Sequence, residues 1–360
     1  MTRGNKTVKI MKRALTLVLL MGVVLTNASG CGAAEDGKAS DQIKVAMVHT
    51  TSGLGDKSIN DSGLIALERA KEELGVSYTN VEPKEYSDYD AYFMELASSG
   101  EFDLIIALGA EQKEALVSAA KSFPEQKFSA NSFEVTMDNI SCQSALWEEF
   151  LFMSGYLNSK LTTMDALPNA NDQAVIGIIN AMEIPPQTRP VVGYICGAKY
   201  ANSQVEVLTS VVGDFVDTNR AQELAIAQYS KGADIIQDFC GKAGFGLLNA
   251  AELSGGYVTG AATNLNAMSP DLVPHSTLNP IENQIFDDIK AVQDGTWTSK
   301  TKYGGIESGL FVMYFEDSNL KVPQEIIDEA YAAAEKVAGG ELKLPTTFDE
   351  IDQWVTENCK

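Results

Sequence analysis

The sequence predicts an α/β protein built from two doubly wound lobes of parallel β-sheet. Apolar runs as long as a β-strand alternate with amphipathic stretches as long as an α-helix over most of the 360 residues. This alternation is typical of βαβ units whose sheet is buried on both faces. The series stops in a polar stretch at residues 162–173 and restarts at Val175. The restart predicts a second lobe of the same kind.

The first 30 residues are predicted to be a secretory signal peptide. The basic stretch KTVKIMKRA precedes the apolar run LTLVLLMGVVL, which is too short for a stable transmembrane helix. The sequence Ala28-Ser29-Gly30-Cys31 resembles the lipobox of bacterial lipoproteins, which implies that Cys31 carries a lipid. Cleavage by an ordinary signal peptidase is the alternative. Residues 31–42 are then a flexible tether, and we expect a lipid-anchored protein on the extracytoplasmic face of the cell membrane.

The predicted strands and helices follow the tether in regular order. Leu64, Leu67, Ala70 and Leu74 fall on one face of the first helix. The apolar runs that predict strands are, in chain order, IKVAMVH (43–49), FDLIIALG (102–109), AVIGIIN (174–180), VEVLTSVV (205–212), ADIIQDF (233–239), YVTGAA (257–262) and GLFVMYF (309–315).

The charge balance excludes nucleic acid as a partner. Removal of residues 1–30, which hold five basic side chains and no acidic one, leaves 22 basic against 49 acidic residues and a net charge of −27. A surface that binds phosphate backbones needs the opposite sign.

The chemistry of cysteine and histidine predicts neither a metal site nor a cofactor. Four cysteines follow Cys31, namely Cys142, Cys196, Cys240 and Cys359, without a C-x-x-C pair or metal-ligand spacing to His49 and His275. We expect most of them to be buried apolar residues, although an exported protein can pair some. No Ser-His-Asp, Cys-His or paired-carboxylate constellation emerges, so the sequence does not predict an enzyme.

The turn GLGDKSINDSG, residues 53–63, lies between the first strand and the first helix. It fits neither a dinucleotide fingerprint, which needs glycine where Ser58 stands, nor a P-loop, because Asp56 precedes Lys57. Ligands of open parallel sheets bind outside the carboxyl ends of the strands. We therefore predict that Ser58 and Asn60 face a polar solute, with helix capping the favoured role for Asp56.

Five motifs in order resemble the basic membrane protein family, the substrate-binding lipoproteins of ABC importers that include purine-nucleoside receptors. They are the turn at 53–63, DLIIALG (103–109), EEFLFMSGYL (148–157), IGIINAMEIP (176–185) and ELAIAQYSKGADII (223–236). The resemblance runs over about residues 45 to 340 and implies the type I periplasmic-binding-protein fold, two lobes that close on a solute between them, and ABC permease subunits as partners of a monomer.

The resemblance also implies three crossings between the lobes. They are expected near residues 162–173, 274–280 and 297–305. The predicted N-terminal lobe is then 43–172 with 277–300, and the predicted C-terminal lobe is 173–276 with 301–360.

The ligand positions of the family's purine receptors carry other residues here. Ile59 and Gln237 replace two stacking phenylalanines, Asn131 and Ser132 replace an acid that reads the base, and Ala262 and Asn279 replace the ribose-binding Asp and Lys. The predicted ligand-binding residues are Ser58, Asn60, Asn131, Ser132, Gln237, Gly241 and Asn279. Trp147, Phe133 or Phe245 could supply an aromatic contact instead, although buried packing is the favoured role for Trp147 and Phe133.

The loss of both ribose-binding charges together predicts a neutral polar solute, nucleoside-like or other, because an unpaired charge in a closed cleft is costly. The alternative is a tethered sensor or scaffold that kept the fold and lost the nucleoside site.

Overall fold

The computed structural model describes residues 42–56, 59–171 and 173–359. The predicted signal peptide, Cys31, nearly all of the tether and the candidate Ser58 lie outside these residues. Residues 42–360 form one compact unit.

Two β-sheets with helices on their faces make up this unit. The first sheet contains β1 (Lys44–Val48), β2 (Ser77–Val81), β3 (Leu104–Ala107), β4 (Phe128–Asn131), β5 (Ile140–Ala145) and β11 (Thr301–Gly304). The second contains β6 (Val175–Asn180), β7 (Glu206–Val211), β8 (Ile235–Phe239), β9 (Tyr257–Ala262), β10 (Ser276–Leu278) and β12 (Val312–Tyr314). The helices are α1 (Ile59–Leu74), α2 (Tyr89–Ser99), α3 (Lys113–Ser122), α4 (Phe152–Leu161), α5 (Pro185–Ala201), α6 (Thr218–Tyr229), α7 (Phe245–Ser254), α8 (Ile281–Gln293), α9 (Gln324–Ala338) and α10 (Ile351–Asn358).

The two sheets have the same winding. Their orders are β11-β5-β4-β3-β1-β2 and β12-β10-β9-β8-β6-β7, and every neighbouring pair is parallel except β10 with β12. In each sheet the strand order reverses beside the first strand, which is where open α/β sheets bind ligands. The predicted α/β class with two doubly wound parallel lobes is confirmed.

The strand pairing divides the chain differently from the predicted lobe bounds. Helix α4 packs on α5 and α9, and its apolar side chains belong to the core of the second lobe, so the first crossing follows β5 rather than residue 162. Nine of its ten residues are buried, so its sequence carries no periodicity that would assign it to either lobe. Strand β10 pairs in the second sheet and β11 in the first, so the lobe bounds move from residue 277 to residue 279 and from residue 300 to Gly304. The second crossing, at residues 279–280, lies within the expected 274–280, and the third follows Gly304, at the end of the expected 297–305.

Two glycines allow α4 and α5 to pack with their backbones in contact. A Cβ atom on Gly155 would lie 2.0 Å from the carbonyl oxygen of Tyr194, and one on Gly197 would lie 1.9 Å from that of Phe152. Gly155 is the glycine of the EEFLFMSGYL motif. Its role in this structure is helix packing directly after the first crossing.

The first and third crossings are held together by hydrogen bonds. The Leu146 N–H donates to the Gly304 carbonyl at 2.8 Å, and the Ile306 N–H donates to the Glu149 carboxylate at 2.8 Å. Burial raises the pKa of Glu149, while the Ile306 bond opposes that shift. This pair of contacts holds the two crossing segments side by side.

Candidate functional site

A cavity of ≈490 Å³ lies where the carboxyl ends of the two sheets face each other. Residues of α1, β4, β5 and the start of α8 line it from the first lobe, and residues of α5 and the ends of β8 and β9 line it from the second. We call it the amide cavity because five side-chain amides line it. They are Asn131, Gln143, Gln187, Asn279 and Gln284.

Two of these amides have buried atoms without a partner. Nδ2 of Asn131 and Oδ1 of Asn279 make no hydrogen bond to any residue that the structure describes. An unsatisfied buried polar atom costs about 1–3 kcal/mol. One atom is a donor and the other an acceptor, so a polar solute could offset both costs.

The charge of the amide cavity is low. Asp61 is the sole ionisable side chain among its described lining residues, and its Oδ1 accepts a hydrogen bond from the Gly55 N–H at 2.6 Å. Because no Lys, Arg or His lies among those lining residues, an anionic solute would find no counter-charge there.

One wall of the amide cavity is aromatic. Trp147, Phe150 and Phe239 line it. The Phe150 ring meets Trp147 at 6.0 Å and Phe239 at 5.6 Å between centroids, both edge to face. Rings fixed in this way present apolar surface to a flat solute without losing side-chain freedom on binding.

A second cavity of ≈600 Å³ adjoins the first. Phe215, Val216, Phe245, Leu265 and Met268 line it, and we call it the apolar cavity. Gly241 also lines it and has a φ of +63°, a conformation that glycine adopts without strain.

Asp238 lines the apolar cavity from the end of β8. Its Oδ1 accepts hydrogen bonds from the backbone N–H and the thiol of Cys240, each at 3.0 Å. Burial raises the pKa of this carboxyl to about 6, against the opposing effect of those bonds.

The comparisons with known proteins agree with this architecture. The model of the Bmp family, described as ABC transporter substrate-binding protein PnrA-like, matches residues 43–346. The chain belongs to the Bmp family. It is therefore a substrate-binding protein of ABC transporters and not an enzyme.

Relatives of the chain carry matching names. It is 27% identical over 394 residues to an uncharacterized lipoprotein of Pyrococcus abyssi, with 96% of each chain covered. It is 26% identical over 355 residues to basic membrane protein A of Borreliella burgdorferi, covering 96% of this chain and 99% of the relative. The ABC transporter nucleoside-binding protein BmpA of Lactococcus lactis is 24% identical over 343 residues, covering 87% and 94%.

The solved structures support the fold. An ABC transporter solute-binding protein from Aeropyrum pernix superposes with a TM-score of 0.73 at 21% identity, covering 88% of this chain and 99% of that one. The predicted type I periplasmic-binding-protein fold is thus confirmed. Among the described residues, no helix is both long and apolar enough to cross a membrane.

Four of the predicted Bmp-family site residues line the cavities. Asn131, Ser132 and Asn279 line the amide cavity, and Gly241 lines the apolar cavity. Ser132 has a φ of +75°, a backbone conformation that non-glycine residues adopt at a cost. Ile59 and Ala262, at positions where the purine receptors contact their ligand, line both cavities.

The prediction for Asn60 requires correction. Its side chain is fully buried inside the turn, where Oδ1 accepts from the Thr50 N–H at 2.8 Å and Nδ2 donates to the Thr50 hydroxyl at 2.8 Å. Nδ2 also lies 2.9 Å from Asp56 Oδ2, and Asp56 accepts the Asn60 and Asp61 N–H groups. Asn60 therefore braces the turn, and Asp56 caps α1 as expected.

The prediction for Gln237 also requires correction. Its Nε2 donates to the carbonyls of Asp238 and Thr259, and its Oε1 accepts from the hydroxyls of Ser154 and Thr259. Gln237 is fully buried and lines neither cavity. It joins α4 to the second sheet.

The Gln237 contacts continue into a larger buried network of the second lobe. Asn158 donates to Tyr194 and Thr259, and its Oδ1 lies 2.9 Å from His275 Nε2. Burial lowers the pKa of His275 to about 3, so the ring is neutral. His275 is thus a core residue.

The sequence analysis missed three amides of the cavity. Gln143 pairs in register with Asn131 on the neighbouring strand, while Gln187 and Gln284 lie in the first turns of α5 and α8. The sequence could have indicated them by their position, since each lies beside the end of a strand or the start of a helix that faces the cleft. Three aromatic residues were proposed to replace the missing stacking rings. Trp147 lines the amide cavity, Phe245 lines the apolar cavity, and Phe133 is buried in the core of the first lobe.

Proposed function

We propose that this protein captures a small, neutral, polar solute in the amide cavity and delivers it to an ABC permease from the outer face of the membrane. The observation that carries the proposal is the buried, unpartnered pair of Asn131 Nδ2 and Asn279 Oδ1. The aromatic wall beside these atoms favours a solute that contains a flat ring, such as a nucleoside or a vitamin-like heterocycle.

The size of the cavity and the lack of cationic side chains among its described lining residues support this choice. Sites for small molecules measure about 300–1,000 Å³, and the amide cavity measures ≈490 Å³. Nucleotides and organic acids carry charges that its described lining leaves unpaired. The position of Gln237 within the core, away from both cavities, argues against the purine sandwich of the family's nucleoside receptors. A solute held by amides and Trp147 is bound differently from inosine or guanosine.

The lipoprotein names of the relatives and the motif at Cys31 support a lipid anchor as the link to the membrane. Labelled fatty acid should be incorporated into the wild-type protein and not into Cys31→Ser if that link is correct. Globomycin, which blocks cleavage after lipidation, should then accumulate a larger precursor that stays in the membrane fraction.

Ligand extraction tests the solute. Metabolites released from the purified protein by denaturation are identified by mass spectrometry and returned to solute-free protein. A solute at about 100 times its Kd raises the free energy of unfolding by about 2.7 kcal/mol. Asn131→Ala with Asn279→Ala should weaken binding roughly 30-fold, because two hydrogen bonds of about 1 kcal/mol each are lost. Asn169→Ala, at an exposed position outside both cavities, is the matched control.

Two results would contradict the proposal. Nanomolar binding of inosine or guanosine would show that this protein is a purine-nucleoside receptor like those of the family. A failure of every extracted compound to stabilise the protein would favour the sensor or scaffold.

A further inference from the structure

The amide cavity and the apolar cavity adjoin and share four lining residues. Ile59, Gln187, Phe239 and Ala262 line both of them. The two cavities therefore lie side by side, with these four side chains at their common border.

Several large apolar side chains around the apolar cavity are exposed to solvent. Phe215 is 44% exposed, Phe245 42%, Met268 43% and Val216 62%. Single exposed apolar residues are ordinary on a protein surface, but a cluster of them that lines a concavity marks a binding groove.

A backbone contact joins two of the loops that carry these side chains. Phe215 precedes α6 and Phe245 begins α7, while Met268 follows β9. The Phe215 carbonyl accepts the Ala243 N–H at 2.9 Å, and a Cβ on Gly241 would lie 3.4 Å from the same oxygen. The apolar lining thus comes from three segments that converge, and not from the outer face of one amphipathic helix.

The ionisable groups of this cavity already have roles. Asp238 Oδ1 accepts from Cys240, and Asp56 accepts the first N–H groups of α1. Lys242 is exposed to solvent. Ser52, Gln187 and Thr263 add polar groups to the lining, and the phenylalanine, leucine and methionine side chains supply its apolar surface.

We propose that the solute of this protein is amphipathic, with a neutral hydrogen-bonding group in the amide cavity and an apolar or aromatic group in the apolar cavity. This inference rests on the proposed function and narrows its substrate class. The occupant follows from the shared border of the two cavities, because one molecule that reaches past these four side chains can occupy both.

Nile red, a neutral and flat apolar dye whose fluorescence rises in apolar surroundings, is the probe for the second compartment. Phe215→Ala with Phe245→Ala should weaken dye binding at least tenfold. Leu253→Ala, at a 72% exposed position of α7 that lines neither cavity, should leave it unchanged. Met268→Ala is a milder variant with an expected loss of about threefold, which keeps the test valid if the double variant is unstable.

Binding of the extracted solute decides the inference itself. The solute should displace Nile red from the wild-type protein and bind the Phe215→Ala, Phe245→Ala variant at least tenfold more weakly. Equal solute binding by that variant would overturn the amphipathic class and leave the proposed function intact. If Leu253→Ala weakened dye binding as much as the double phenylalanine variant, the dye would not be bound in the apolar cavity, and the inference would be wrong. If no extracted compound stabilises the wild-type protein, the proposed function fails and this inference falls with it.

Discussion

The two lobes share a strand order but place their polar strand residues differently. In the first lobe, Asn131 on β4 and Gln143 on β5 line the cavity, and Asn131 makes no side-chain hydrogen bond within the described structure. In the second lobe, Gln237 on β8 and Thr259 on β9 are buried in hydrogen bonds to each other and to α4. The first lobe therefore offers free hydrogen-bonding capacity, and the second uses its capacity internally.

This difference separates binding from stability. A buried amide whose bonds are all made stabilises a unique packing, while an amide with an open bond costs stability until a ligand binds. Substitutions of the same chemical kind should therefore have opposite consequences in the two lobes.

The largest effect is expected where the second lobe packs most tightly. Gly197→Ala would place a methyl group 1.9 Å from the Phe152 carbonyl oxygen, so α4 and α5 must separate. We expect a loss of at least about 3 kcal/mol in the free energy of unfolding, measured with urea. The control is Gly339→Ala, where the nearest atom would be the Glu335 carbonyl at 3.2 Å; its cost should stay below about 1 kcal/mol. Similar costs at both sites would show that the helix contact is not tight.

The network around Gln237 should give the next largest effect. Gln237→Ala leaves the Ser154 and Thr259 hydroxyls and the Thr259 carbonyl without this partner, at a cost of about 2–3 kcal/mol. Gln143→Ala is the matched change in the first lobe, where the Gln143 side chain makes one long bond of 3.4 Å to Ser141. Its cost should be below about 1 kcal/mol, while solute affinity falls. The comparison between the lobes fails if the order of the two costs is reversed.

Apolar runs identify seven of the strands, and four of them, β1, β3, β6 and β8, are buried along almost their whole length. Strands β4 and β5, with the sequences FSAN and ISCQSA, lack such a run and were not found in this way. Their polar residues line the cavity or point to buried partners such as Asp288. The criterion therefore fails at the strands that build the site, and only the family resemblance indicated Asn131.

The sequence alone could not tell which amide side chains face a cavity and which form hydrogen bonds inside the protein. Asn60, Asn131 and Gln237 were all predicted to bind solute, Asn60 from its place in the turn and the other two from the ligand positions of the family. Whether such a side chain faces a cavity depends on which neighbours reach it. Thr50 and Asp56 bond to Asn60, whereas Ser154 and Thr259 bond to Gln237. These partners are far apart in sequence for Gln237, so only the folded structure reveals that its bonds are already made.

The smallest expected effect is also the most direct test of the difference between the lobes. Asn131→Ala in solute-free protein removes a buried Nδ2 that has no partner in the described structure, so the free energy of unfolding should stay the same or rise by up to about 1 kcal/mol. The small void left behind opposes this gain but lies beside a cavity already open to solvent. Chemical denaturation after removal of solute by unfolding and refolding measures the effect. With saturating solute the sign should reverse, because the wild-type protein regains the missing bond and the variant cannot. A loss of 2 kcal/mol or more without solute, as for Gln237→Ala, would mean that Asn131 is a structural residue and that the two lobes do not differ in this way.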